Sequence, residues 1–314
     1  MRDFERDVSS AAEWTSSVPA GEPSWSLARQ RLFDSCQRAY YFCHFMSQGG
    51  WDQYSHPLVR QCYIEKRLLT VREWSEDVLN DSLRIAIDHT LRAPDGRRES
   101  ETQRLFQFEV ARRISEGAVQ LRNREWERDT KCLNLFELYY PGEERDAFER
   151  GASALRKAAK DFAFSDAMLG LLSVERNAWR RLNEFESFRI HGVEVWARPA
   201  LSCVEAGRAS FLEIRLALPD AGMAGLDAGL LDLLAFHRFK TTSNSSIVSF
   251  ATPDGSYVNA VPDAMAIRCM VPKGAASMAD KMRQDGRMWL EDYPKTEDDS
   301  KCASCRFKGI CKIV

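Results

Sequence analysis

Charge of one sign is not in excess in this chain. Its 314 residues include 44 Lys or Arg and 46 Asp or Glu, a formal net charge of -2. Bulk charge therefore does not mark a nucleic-acid-binding protein, and any such charge must be local. Long hydrophobic runs are also missing: no stretch approaches the roughly 20 apolar residues needed to span a bilayer. The first residues, MRDFERDVSSAAEW, carry neither an apolar signal region nor a cleavage pattern. There is no internal repeat and no low-complexity tract. These absences lead to the expectation of a cytoplasmic protein with no membrane partner. What is present is 44% hydrophobic residues, enough for a packed interior, and nine cysteines. In a reducing compartment a disulfide framework is not expected. Clustered cysteines there more often bind metal, and scattered ones pack as small core residues.

The length is long for one compact core and short for two independent ones. Residues 1–24 are polar and without period, which predicts a flexible N-terminal arm. The segment SWSLARQRLFDSCQRAYYFCHF predicts a helix capped by Ser24 or Ser26, with Phe33, Cys36, Tyr40 and Cys43 on one face. A helical block follows to about residue 183. One stripe is Val71, Trp74, Val78, Ser82 and Ile85; another is Phe148, Ala152, Leu155, Ala158 or Ala159, and Phe162. RAPDGRRES and YYPGEERD read as turns, and LRNREWERDTK as a solvated helix face. From about residue 184 the pattern becomes short Val-, Ile-, Phe- and Leu-rich runs separated by HG and EAGRA, which predicts hairpins. A helix over about 224–239, strands around SIVSFA and SYVNAVPDAMAIRCMV with a PDG turn, and a helix near 275–290 complete the series. That order predicts an α/β or α+β fold.

The tail reads KCASCRFKGICKIV. Cys302, Cys305 and Cys311 form C-x2-C-x5-C, too dense for routine core cysteines. A four-coordinate site needs one more ligand, and both zinc and an iron–sulfur cluster accept thiolates. Spacing alone does not choose between them. Cys43, Cys62, Cys132, Cys203 and Cys269 have no ligand-like spacing and are expected to pack.

The tail, joined with S-x-x-R-x-x-x-F-x-x-C-x-R-x-Y-Y-F in the first helix (Ser26, Arg29, Phe33, Cys36, Arg38, Tyr40, Tyr41, Phe42), resembles the RecB-like PD-(D/E)XK nucleases that carry a four-iron four-sulfur cluster. These include the CRISPR adaptation nuclease group and the AddB-type helicase–nuclease subunits. The resemblance implies a restriction-endonuclease-like core in one domain over 25–314. A large helical insertion would span about 57–183 and a β core about 184–272. It also implies a 4Fe-4S cluster on Cys36, Cys302, Cys305 and Cys311, with zinc as the alternative. Such a centre staples the first helix to the end of the chain, so its loss should loosen both.

An active enzyme of that family uses two carboxylates to hold Mg²⁺ or Mn²⁺ and a lysine beside the attacked phosphate. On the resemblance, the family's Pro-Asp falls on Pro199 and Ala200, and its D/E-x-K on Glu213-Ile214-Arg215. Residues two apart on a strand share a face, so Glu213 and Arg215 should point together. The family's early-helix histidine falls on Asn80 within WSEDVLNDSL, while His89 lies off the motif. Its Gln and Tyr fall on Asp232 and Phe236. Only Glu213 is retained, and Arg215 lacks the compact ammonium of lysine.

The leading expectation is therefore a catalytically inactive nuclease-fold protein, with DNA (single-stranded or ends) as partner. It would work with a protein partner in a DNA-processing or antiviral defence assembly. Arg29, Arg31 and Arg38 on the first helix, with Arg198 and Arg215, are the phosphate-binding candidates. One alternative is an active Mg- or Mn-dependent nuclease with displaced ligands such as Glu205, Asp232 or Asp263. The other is a protein-docking scaffold.

Overall fold

The computed structural model describes residues 17–19, 24–91, 98–140, 146–175, 178–180, 182, 185–199, 201–242, 244–284 and 286–314. Its architecture is mixed α and β. The central sheet contains β3 (Trp179–Arg180), β6 (Leu201–Glu205), β7 (Arg208–Ile214), β8 (Ile247–Ala251) and β9 (Tyr257–Ala260) in the order β3-β6-β7-β8-β9. β7 and β8 run parallel, joined through α9 (Ala221–Phe239), and the other neighbours are antiparallel. A smaller sheet has the order β2-β5-β4, from β2 (Ser24–Trp25), β4 (Glu186–Ile190) and β5 (Val193–Ala197).

Alternation along β7 divides the core. Ala209 and Phe211 face one apolar cluster, while Leu212 and Ile214 face the other, as a period of two requires. The first cluster contains α9, α10 (Ala264–Ala279) and the N-terminal helical segment. The second contains α4 (Val71–Thr90), α5 (Arg98–Arg122), α7 (Ala147–Ala163) and α8 (Asp166–Ser173). From α4 to α8 the helical block is thus a layer on one sheet face, whereas Leu58 and Cys62, at its start, belong to the first cluster. Its second stripe is buried throughout, from Phe148 to Phe162. In the first stripe Trp74, Val78 and Ser82 are buried, while Val71 and Ile85 are half-buried.

Local signals place the ends of these elements. The Thr70 side chain and Glu73 form a reciprocal capping box at the start of α4. The HG and EAGRA turns close two-residue hairpin loops with positive φ at both central positions: 49° and 84° at His191 and Gly192, 46° and 75° at Ala206 and Gly207. Asp254 ties the PDG turn by accepting from the Ser256 amide.

Several expectations need correction. The arm expected to be free through residue 24 carries β1 (Ser17–Pro19), paired antiparallel with β10 (Arg287–Trp289), and β2 pairs in parallel with β5. The single helix expected from residue 24 is broken at Cys36. There the backbone is extended (φ -159°, ψ 109°) between α1 (Leu27–Ser35) and α2 (Gln37–Tyr41), and a π-helical turn follows over Phe42–Met46. The segment AMAIRCMV, read with a strand, is helical within α10, and the helix expected near 275–290 ends at Ala279 before β10. LRNREWERDTK ends one helix and continues as a short 3₁₀ turn at Glu125–Glu127. Of the turns expected at RAPDGRRES and YYPGEERD, residues 92–97 and 141–145 lie outside the described residues, while Arg98, Glu99 and Ser100 already belong to α5. No helix among the described residues is long and apolar enough to cross a membrane.

Candidate functional site

Two places carry the residues singled out by sequence. The first is a cleft of about 700 Å³ between the N-terminal helices and the tail. Cys36, Cys302, Cys305 and Cys311 all line it, although 265 positions of chain separate Cys36 from the next of them (302 − 36 − 1). The break at Cys36 is where α1 gives way to α2, and the start of α2 is sewn to the approach of the tail. The Arg38 amide donates to the Pro294 carbonyl at 3.1 Å, and Arg38 Nε to the Tyr293 carbonyl at 2.7 Å.

Charge suits thiolates here. The lining includes Arg29, Lys295, Lys301, Arg306, Lys308 and Lys312, and no carboxylate. Burial pushes the Cys305 thiol up to about 11, with Cys36, Cys311 and Cys302 adding to the rise. Cys311 is raised by burial and by Cys36 and Cys302, against the pull of Lys295 and Arg38. Crowded thiols next to cations, whose ionised forms would repel one another, are what a metal centre would deprotonate and neutralise. Among the described residues no three His, Cys, Asp or Glu side chains stand close enough to surround one metal ion. Thiolate donors suit either a zinc ion or an iron–sulfur cluster, which Cys36, Cys302, Cys305 and Cys311 would hold.

The second place is the C-terminal end of β7. β6 pairs with β7 only as far as Leu201 opposite Leu212. Beyond that, Asn80 of α4 takes the place of a strand: its Oδ1 accepts from the Ile214 amide at 2.8 Å and its Nδ2 donates to the Ile214 carbonyl at 2.9 Å. Glu76, one turn earlier on the same helix, accepts from the Leu216 amide at 2.9 Å. Its carboxylate also meets Arg215 at 3.3 Å, and Arg215 meets Glu213 at 3.0 Å. Asp227 of α9 pairs with Arg31 at 3.1 Å and feels Arg215. Burial raises the Glu213 carboxyl above its usual range despite Arg215, with Asp227 and Glu76 adding to the rise. Burial lowers Arg215, but Glu213, Glu76 and Asp227 outweigh it.

This arrangement does not fit Mg²⁺ or Mn²⁺. The carboxylates of Glu213 and Glu76 are both held by one guanidinium, so a cation would have to displace Arg215. Ala200 lies outside the described residues. The proposed displaced ligands are dispersed: Glu205 sits at a hairpin end, Asp232 accepts from the Asn244 and Ser246 amides, and Asp263 caps α10. Asp232 is thus engaged with a loop, and Phe236 is exposed. Asp227 faces the site instead, five residues earlier. Glu76 was legible, because it lies four residues before Asn80 and hence on the same helix face; nothing in the sequence singled out Asp227.

The five arginines named as phosphate contacts all have partners within the chain, Arg31 in Asp227. Arg29 donates to Ser24 and Tyr40, and Arg38 to Tyr293. Arg198 pairs with Asp77 at 3.0 Å, and Arg215 with Glu76 and Glu213. His89 is exposed.

No family model and no curated protein matches the chain. A solved structure described as "Crystal structure of SSO0001" overlaps 52% of this chain and 79% of its own length, at 17% identity and a TM-score of 0.25. A likeness of that size bears on neither fold family nor function.

Proposed function

We propose that this protein is a RecB-like, PD-(D/E)XK-type nuclease-fold protein that has lost cleavage and keeps a thiolate-bound iron–sulfur centre. It would bind nucleic acid within a DNA-processing or defence assembly. The observation that carries the reading is the meeting of four cysteines, from both ends of the chain, in one cleft whose charged lining is wholly cationic. Routine packing gives no reason for that combination. Loss of cleavage rests on Arg215, which occupies the carboxylates that a cutting enzyme would give to its metal. Nucleic-acid binding is supported by the exposed lysines Lys295, Lys301 and Lys312 around the cleft, two of which make at most one polar contact each.

Anaerobic purification followed by metal analysis and a cleavage assay tests the reading. The expected result is about four irons per chain, a brown protein, and no cutting of single- or double-stranded DNA with Mg²⁺ or Mn²⁺. Stoichiometric zinc without iron would remove the cluster. Metal-dependent cleavage abolished by Glu213→Ala would restore the active-nuclease alternative, with Glu76 or Asp227 as the second carboxylate after Arg215 has swung away.

A further inference from the structure

The five residues between Cys305 and Cys311 rest on the helical block. α3 (Pro57–Lys66) presents Glu65, which is fully buried. Glu65 Oε2 accepts from the Ile310 amide at 3.2 Å, and its Oε1 accepts from Gln61 at 2.7 Å. Gln61 also donates to the Tyr139 hydroxyl at 2.6 Å. Tyr140, just after α6 (Phe136–Tyr139), donates its hydroxyl to the Arg306 carbonyl at 2.7 Å and accepts from the Gly309 amide at 3.2 Å. The fit is tight at Gly309: a Cβ there would lie 2.3 Å from Glu65 Oε1 and 3.3 Å from a Tyr140 ring carbon. Outside this network, Arg306 reaches Glu73 at 2.9 Å, and Lys308 lies 4.5 Å from the ring centres of Phe136 and Tyr140.

A buried carboxyl is costly unless its oxygens are used. Here one is used on Gln61 and the other on the backbone of a short loop that is flanked by two thiols. Two side chains therefore meet three backbone groups of one five-residue stretch, at positions 306, 309 and 310. We propose that Glu65 and Tyr140 are positioning residues: they pre-shape the loop between Cys305 and Cys311, so that both thiols are presented to a metal centre instead of being gathered by it. The inference rests on the metal reading above and adds that the receptor exists before the metal arrives.

Four anaerobically purified proteins test it: wild type, Glu65→Ala, Tyr140→Phe and Glu65→Gln. Each is assayed for iron and zinc, and metal loss to an excess of chelator is timed. Residues behind metal ligands typically change affinity by about 10–100-fold. Glu65→Ala and Tyr140→Phe should therefore lose metal about tenfold faster or more, while Glu65→Gln, which keeps an acceptor for Ile310, should stay within about threefold of wild type. Tyr140→Phe removes one hydroxyl and no bulk, so it reads the effect if Glu65→Ala fails to fold.

Hydrogen exchange on reduced, metal-free protein supplies the second readout. The Gly309 and Ile310 amides should stay protected in wild type, and Glu65→Ala should lose that protection at Ile310. Free exchange of both amides in metal-free wild type would overturn the inference, as would metal retention in Glu65→Ala and Tyr140→Phe equal to wild type. Wild type without iron or zinc would instead remove the metal reading. Protection at Gly309 and Ile310 would then still decide whether the loop is pre-shaped.

Discussion

The cysteine cleft and the end of β7 are built in opposite ways. The cleft brings half-buried and exposed thiols together, ringed by cations and with no carboxylate in its lining. On the reading proposed above, an anionic, thiolate-bound group would complete its electrostatics. The β7 end has its charges paired already: Arg215 holds Glu76 and Glu213, and Arg31 holds Asp227. On the reading proposed above, open charge marks the site that receives a group, and charge closed by the chain's own side chains marks the one that has lost its metal. Residue types alone would have marked both places as functional. Charge balance separates them.

The largest expected effect is at the cleft. Cys36→Ala removes the proposed ligand on the N-terminal helices; Cys43, which also lines the cleft, is left in place. Metal content should fall to near zero, and thermal unfolding should move down by several degrees or more, because a centre that joins both ends of the chain contributes its binding energy to folding. Melting of metal-loaded and chelated proteins gives the comparison. Equal melting of wild type and Cys36→Ala, both with full metal, would put the centre elsewhere.

The matching test at the other site concerns Asn80. It serves both polar groups of Ile214, a fully buried residue, at the point where β6 no longer does. Asn80→Ala should destabilise by about 2–4 kcal/mol, since each buried backbone group left without a partner costs roughly 1–3 kcal/mol. Urea denaturation checks this. Asn80→His, which restores the residue that the resemblance implies, should destabilise as well, because an imidazole does not offer the paired donor and acceptor of a carboxamide. A neutral Asn80→His would mean that the site is less settled than its hydrogen bonds imply.

Much of this was legible beforehand, and the failures have physical reasons. Glu213 and Arg215 sit two apart on a strand, so their shared face followed from the pleat, and they do form an ion pair. The hairpin turns at His191-Gly192 and Ala206-Gly207 followed from turn chemistry. The break at Cys36 did not, because Phe33, Cys36, Tyr40 and Cys43 keep helical spacing across it. Periodicity does not register one extended residue between two helices in line. The strand Ser17–Pro19 escaped for a similar reason: three residues are too few for a period, and Val18 lies opposite Met288, some 270 positions away. Arg215 and Arg198 read as phosphate contacts because sequence shows a charge without showing its partner. Glu76, Asp227 and Asp77 reach them only through the fold.

An intermediate effect sharpens the comparison through pH. Burial pushes the Glu65 carboxyl up to about 7, well above the 4.5 of the free group, against hydrogen bonds from Gln61 and the Ile310 amide that pull it down. The folded chain therefore holds this proton more tightly than the unfolded chain. Glu65 contributes most stability below about pH 4.5, and that contribution is lost as the pH rises towards 7. Integrated over this window, the change is about 3 kcal/mol. Glu65→Gln stays neutral throughout, so its stability relative to wild type should rise across the same window and level off above about pH 7. Parallel pH profiles for the two proteins would show that Glu65 ionises as it does in water.

The smallest effect concerns which of the two places meets nucleic acid. Arg198 and Asp77 form a 3.0 Å pair with side chains 49% and 36% exposed, a geometry that contributes about 0–1 kcal/mol. Arg198→Ala should accordingly change stability by less than 1 kcal/mol. Its cation is already balanced, so a phosphate would have to compete with a carboxylate for it. Lys312 is exposed at the cleft and lies among other cations. If the phosphate backbone passes along the cleft, Lys312→Ala should reduce the slope of log affinity against log salt by about one and weaken all sequences alike, while Arg198→Ala leaves the slope unchanged. Fluorescence anisotropy with a labelled single strand over a salt series measures both. The reverse pattern would move the contact to the β7 end, and would require Asp77 to release Arg198 when nucleic acid binds.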